Sequence, residues 1–170
     1  MSSNRIVGDF VQIPPVEYEA AFVDFETRLL FGRQPKLYLW FSLITPGYIG
    51  IKLPRYYNVL SLSGKPRRGG RFKAGRKGNF VREYGRLFNV LPDLKSDWSE
   101  RLTNVICKVR VKTCDRSFNQ KAIAECAQYS HIAEILEVYD GQLASEALPP
   151  LPNPFPAPVP TPTRHQERTG

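Results

Sequence analysis

Three cysteines and two histidines are few for a chain of 170 residues, and that scarcity excludes several kinds of chemistry. Cys107, Cys114 and Cys126 are odd in number, so they do not form a disulfide framework, and their simplest role in a reducing compartment is small apolar packing. A zinc site would need all three with His131, yet the separations of 7, 12 and 5 positions contain no close C-x-x-C knuckle. His165 is the other histidine, which leaves little for acid–base or nucleophilic work. Asp24 and Glu26 share strand parity but have no third ligand at a recognisable spacing. The expectation is therefore no catalytic residue, no metal and no cofactor. The chain also lacks any run of 18 apolar residues, and its start, MSSNRIVGDF, lacks the blocks of a secretory signal. A soluble cytoplasmic protein with no membrane partner is expected.

Acidic residues are missing from one stretch in particular. Between Lys65 and Arg86 stand Lys65, Arg67, Arg68, Arg71, Lys73, Arg76, Lys77, Arg82 and Arg86 against a single acid, Glu83. This local charge of +8 equals that of the whole chain, because the remaining 15 bases are balanced by 15 acids. A polyanion is the partner that rewards such clustering, since each neutralised phosphate releases condensed counterions. A solubilising role needs no such concentration. The run GRFKAGRK, Gly70 to Lys77, half matches a phosphate-binding loop, but the G-K-[ST] ending is absent and no buried strand directly precedes it.

With 42% hydrophobic residues the chain can bury one core. Residues 1–16 read as an arm ending at Pro14 and Pro15, residues 17–140 as the domain, and residues 141–170, with eight of the fifteen prolines, as a disordered polyproline-like tail serving as spacer or peptide ligand. Within the domain, Tyr18 to Phe31 reads as a long strand whose facing switches at a bulge near Val23 and Asp24. Lys36 to Ile44 alternates with Leu37, Leu39, Phe41 and Leu43 on one face and Tyr38 and Trp40 on the other; Tyr48 to Leu53, extended by Tyr56 and Tyr57, completes a meander. Pro54 suits an edge strand. Ser61 to Gly78, rich in glycine, reads as a mobile basic loop. Asn79 caps an expected helix Phe80 to Leu91 that Pro92 closes, with Phe80, Tyr84 and Leu87 on its apolar stripe and Arg82 and Arg86 on a basic edge. Val105 to Thr113 alternates with a cationic face, and a last strand runs from Gln128 to Val138; Ala122 to Gln128 reads equally as helix or strand.

Aromatic residues interleave with the bases: Tyr48, Tyr56, Tyr57, Phe72, Phe80 and Tyr84 surround the basic loop. Exposed rings stack on unpaired bases, worth roughly 1–3 kcal/mol per base, whereas a duplex offers no free base faces. Phe80 and Tyr84 fit the core, and Phe72 is the expected exposed ring. The candidate binding set is Arg33, Tyr38, Trp40, Lys52, Arg55, Tyr56, Tyr57, Lys65, Arg67, Arg68, Arg71, Phe72, Lys73, Arg76, Lys77, Arg82 and Arg86.

Five strands with a helix between the third and fourth give the layout of an OB-fold, a five-stranded Greek-key barrel. The segments VEYEA, KLYLWFSL, the turn PG, IGIKLPRYYNV, VRVKTCDR and QYSHIAEILEV, spanning Val16 to Val138, resemble the single-stranded-DNA-binding proteins of phages and mobile elements. That resemblance implies a non-catalytic protein that coats single strands during DNA replication or recombination, with Tyr38, Trp40, Tyr56 and Tyr57 on or near the binding side. The chain departs from the family in its last residues, PTRHQERTG, which are basic where an acidic tip commonly recruits partners. Two alternatives stay open: an RNA-binding or ribonucleoprotein component, and an adaptor that docks an acidic protein through the basic loop and proline tail. A protein partner of the tail and self-association are compatible with each.

Overall fold

The computed structural model describes residues 5–7, 10–116, 120–124 and 128–140, the backbone alone for 5–7 and 10. The proline-rich segment 141–170 lies outside the described residues. The fold is mainly β. Its centre is a five-stranded antiparallel sheet of β3 (Glu17–Leu30), β4 (Gln34–Leu43), β5 (Lys52–Asn58), β8 (Val105–Cys114) and β9 (Tyr129–Asp140), in the order β5-β4-β3-β8-β9. Two short hairpins accompany it, β1 (Arg5–Val7) with β2 (Phe10–Gln12), and β6 (Ser61–Ser63) with β7 (Arg71–Lys73). Helices α1 (Asn79–Phe88) and α2 (Glu100–Thr103) lie between β7 and β8 in sequence. Neither is long and apolar enough to cross a membrane.

Alternation of side chains builds the core. Leu37, Leu39, Phe41 and Leu43 of β4 are buried with Leu53 and Tyr57 of β5, Cys107, Val109 and Val111 of β8, and Ile132 and Ile135 of β9. Strand β3 serves both halves of the sheet. Its residues Glu17 to Ala21 pair with β8 and Ala20 to Leu30 with β4, and a register shift between Phe22 and Asp24 moves the inward parity from Tyr18 and Ala20 to Thr27. The bulge expected near Val23 is there.

The expected barrel is not closed by backbone pairing. Among the described residues no ladder joins β5 to β9, although the two strands approach within 8 Å between Cα atoms. Register shifts in the β8–β9 ladder, between Lys108 and Val109 and between Arg110 and Val111, leave Leu136 and Ala133 as extra residues on β9. Helix α1 fills the gap with side chains. Glu83 accepts a hydrogen bond from the Ile135 N–H at 2.6 Å and pairs with the Arg55 guanidinium at 2.6 Å, while Arg86 donates to the carbonyls of Ile135 and Leu136. Groups that a neighbouring strand would satisfy are thus satisfied by a helix.

Beneath α1 the core is aromatic. Phe80 meets Trp98 at 5.1 Å, Tyr57 at 5.3 Å and Phe72 at 5.6 Å between ring centroids, mostly edge to face, and the Tyr84 hydroxyl donates to the Trp98 carbonyl. Each such ring pair adds roughly 0.5–1.5 kcal/mol beyond area burial.

Several local expectations are corrected. The segment Ser61 to Gly78 is not a loose loop: Arg71-Phe72-Lys73 forms a strand whose middle residue points inward against Leu62. Tyr48 to Ile51 is a turn, with Gly47 and Gly50 at φ +88° and +85°, so β5 starts only at Lys52. Pro54 is on an edge strand as expected. Helix α1 has Gly78 as N-cap and stops at Asn89, which adopts a left-handed φ of 53°, before Pro92 is reached. The N-terminal arm pairs with itself, and Ile13 exchanges hydrogen bonds with the Ser130 hydroxyl of β9. Residues 121–124 and 128 are neither helix nor strand apart from a bridge between Arg116 and Ala122.

Glu83 and Arg55 are both largely buried, so removing one strands the other. Glu83→Ala is expected to destabilise the fold by about 3–5 kcal/mol in urea titrations. Arg55→Met combined with Glu83→Leu should recover much of that loss. Strictly additive effects of the two positions would show that the pair is not coupled.

Candidate nucleic-acid interface

Two surfaces carry positive charge, and they differ in what answers it. On β8, Lys108 lies 3.5 Å from Glu17 and 3.6 Å from Glu137, while Arg110 contacts Glu17 at 3.3 Å and Glu134 at 3.2 Å. Two of the three bases on this strand's cationic face are balanced by neighbouring carboxylates, while Lys112, exposed opposite His131, has none among the described residues. Between Lys65 and Lys77, the residues Lys65, Arg67, Arg71, Lys73, Arg76 and Lys77 are exposed and have no carboxylate partner among the described residues. Arg68 is the exception there, held by Asp24 at 2.6 Å.

The β6–β7 hairpin is amphipathic by strand alternation. Leu62 and Phe72 face the core, whereas Ser61, Ser63, Arg71 and Lys73 face away. Its connecting turn lies along the edge of β3 that β8 leaves unpaired. The Thr27 N–H donates to the Arg67 carbonyl at 3.0 Å, the Gly69 N–H donates to the Phe25 carbonyl at 2.9 Å, and the Thr27 hydroxyl joins the same contact. Gly70 permits the approach, because an added Cβ there would overlap Thr27 Oγ1.

Across the sheet from that turn, the outer face carries a ladder of rings. Register pairs Glu26 with Tyr38, Tyr38 with Tyr56 and Trp40 with Pro54. Tyr38 stands 6.5 Å from Trp40 and 5.7 Å from Tyr56; Tyr56 stands 5.3 Å from His131, which lies 6.3 Å from Tyr129. All five are half-buried, with their bodies supported and part of each side chain in solvent. Trp40 Nε1–H donates to Glu26 at 3.1 Å, and the Arg28 guanidinium pairs with Glu26 and lies 4.5 Å over the Tyr38 ring. Lys36 donates to Asn58 at the next cross-strand position. These contacts fix the rotamers of the face and neutralise both of its carboxylates, Asp24 and Glu26.

Burial raises the phenol pKa of Tyr38 and of Tyr56, so both remain neutral near pH 7. Tyr129 is raised too, by burial first and by its hydrogen bond with Cys114 second. For His131 the shift is downward, caused chiefly by burial and then by the positive charges of Arg55 and Lys112. The ladder is therefore uncharged at neutral pH, and cations border it.

The candidates divide accordingly. Tyr38, Trp40 and Tyr56 share the outer face; Lys52 is exposed at the start of β5 and Arg33 at the β3–β4 turn. Tyr57, 3% exposed, and Phe72, 6% exposed, are core residues and leave the set. Phe72 stands in a polar stretch yet occupies the inward position of a three-residue strand. Arg55 points inward to Glu83 and lies 4.5 Å over the Tyr57 ring, and Arg86 is engaged by β9. Arg82 stays exposed on α1. Arg28, Tyr129 and His131 join the face without having been candidates. Tyr129-x-His131 repeats the spacing of Tyr38-x-Trp40, a signal present in the sequence.

Among the described residues no group of three or more His, Cys, Asp or Glu converges as metal ligands would. Comparison of the chain with protein-family models, curated proteins and solved structures finds no match.

Two outcomes follow from this geometry. The lowered His131 pKa means that the unfolded chain binds more protons than the folded one between that value and about 6.5, so stability should fall as pH drops through this window. His131→Phe should flatten that part of a stability–pH curve measured by urea titration; an unchanged curve would place the proton elsewhere. Gly70→Ala should release the hairpin turn from β3, seen as faster amide exchange at Thr27 and Gly69, while the five-stranded sheet persists.

Proposed function

We propose that the chain is a non-catalytic, cytoplasmic single-stranded-DNA-binding protein of the OB-fold type that acts in replication or recombination of DNA. The order β5-β4-β3-β8-β9 supports the fold reading, since the fourth long strand returns beside the first and α1 falls between the third and fourth. The observation that carries the functional reading is the ring ladder Trp40, Tyr38, Tyr56 and His131, whose Trp40 stands opposite Asp24 in register, where Arg68 of the cation-rich hairpin turn docks. Rings spaced 5.3–6.5 Å apart suit successive unstacked bases, and the hairpin supplies charge for the phosphates. Duplex DNA presents no base faces to such a ladder.

Fluorescence and gel-shift titrations with single-stranded DNA, duplex DNA and RNA of one length test the proposal. Single-stranded DNA should bind tightest. With about five cations engaged, log affinity should fall with log salt at a slope near −3.5, from roughly 0.7 per contact. Tyr38→Ala and Tyr56→Ala should each weaken binding by roughly 1–3 kcal/mol and leave the slope intact. Replacing Arg67, Arg71 and Lys73 together by Ala should reduce the slope by about 2. Ring variants that bind as the parent does, or a flat salt response, would reject the reading. Tighter binding of RNA than of DNA would assign the same face to RNA.

A further inference from the structure

Beyond the ring ladder, β9 runs into a cavity that the ladder does not use. Its volume is about 570 Å³, and it lies where α1 covers the gap between β5 and β9. Arg55, Arg82, Glu83 and Arg86 line it together with Asn79 and, from β9, Ala133 and Glu134. Ala133 is the extra residue of a β9 irregularity, and Glu134 stands opposite Arg110 as His131 stands opposite Lys112, so the β9 wall of the cavity belongs to the face that carries the rings.

Its charges do not cancel. Glu83 is engaged by Arg55 and by the Ile135 N–H, and Glu134 lies 3.2 Å from Arg110 and 3.9 Å from Arg86. Arg82 has no carboxylate partner among the described residues and is exposed at the wall. Arg55, engaged by Glu83, adds fixed positive charge at the wall. The first turn of α1 adds to the same sign: it has no side-chain cap and no acidic residue. An anion with several acceptor oxygens meets these needs, and the volume admits a phosphate with its sugar.

We propose that this cavity is a phosphate subsite, with Arg82 as its principal ligand and Asn79 beside it, that receives a phosphate ester of the strand stacked on Tyr56 and His131. Naming the strand as the source rests on the single-strand reading above; the charge of the cavity does not. The phosphate is either a terminal one or an internal diester, and the two differ in their dependence on the end of the strand.

The test uses the full-length chain, with amide resonances of Asn79, Arg82 and Ala133 followed by NMR. A deoxynucleoside 5′-monophosphate should shift them saturably in the millimolar range, and the unphosphorylated nucleoside should not. Arg82→Ala should abolish the shift at an unchanged urea midpoint, and Arg82→Lys should restore part of it. In parallel, oligomers with a 5′-phosphate, a 3′-phosphate or neither are compared. A gain of about tenfold from one terminal phosphate, lost in Arg82→Ala, identifies a terminal phosphate. Equal binding of all three, with a salt slope reduced by about 0.7 in Arg82→Ala, identifies a diester. Resonances that stay still, together with an Arg82→Ala variant that binds every oligomer as the parent does, would overturn the subsite and leave the ladder standing. A monophosphate shift without binding of any oligomer would reject the single-strand reading and keep the subsite.

Discussion

A single buried carboxylate holds the two ends of the sheet in one body. Glu83 projects from α1 into the space between β5 and β9, where it meets the Arg55 guanidinium on one side and the Ile135 N–H on the other. Both contacts are at 2.6 Å, and the Glu83 side chain is only 8% exposed. A charge taken so far out of water is tolerable only when it is paired and its lone pairs are filled, which fixes the rotamers of both residues and the position of the helix. Arg86 reinforces the same joint from one turn further along, through the carbonyls of Ile135 and Leu136. The register shifts of β9 explain why a helix is needed, since an irregular edge presents backbone groups at spacings a regular strand does not match.

The division of the aromatic residues follows from that joint. With α1 clamped over the gap, Phe72, Phe80, Tyr84 and Trp98 pack beneath it as a ring cluster. Tyr38, Trp40, Tyr56 and His131, on the opposite parity of their strands, line up across the outer surface. Closeness of β5 to β9 is what brings Tyr56 within 5.3 Å of His131. The ladder crosses the gap on the outer face, and the carboxylate crosses it from the helix, with the seam between β5 and β9 open to both. Electrostatics sort the surfaces in the same way: Lys108 and Arg110 on β8 are answered by Glu17, Glu134 and Glu137, while the bases of the hairpin, apart from Arg68, are not.

Much of the strand plan could be read from alternation. The facing switch near Val23, the Leu37-to-Leu43 core face, the edge position of β5 and the helix stripe of Phe80 and Tyr84 all match. Period-two and period-3.6 patterns are local, and burial enforces them strongly over ten residues. Short elements escaped: three residues in β7 are too few for a pattern, so Phe72 read as a lone ring in a polar loop. Turn chemistry was misjudged at Tyr48 to Ile51, where Gly47 and Gly50 take positive φ and delay β5.

The amino-acid order alone established where charge concentrates, which segments extend, and that Tyr38 and Trp40 oppose Leu37 and Leu39. Those properties depend on composition and on neighbours one to four positions away. Which cations remain without a carboxylate, and which rings meet, came only with the assembled chain. Arg68 finds Asp24, Tyr56 finds His131, and Glu83 finds Ile135, the last across 52 positions. Such contacts depend on strand order and register, and no local periodicity encodes a meeting between residues so far apart in the chain.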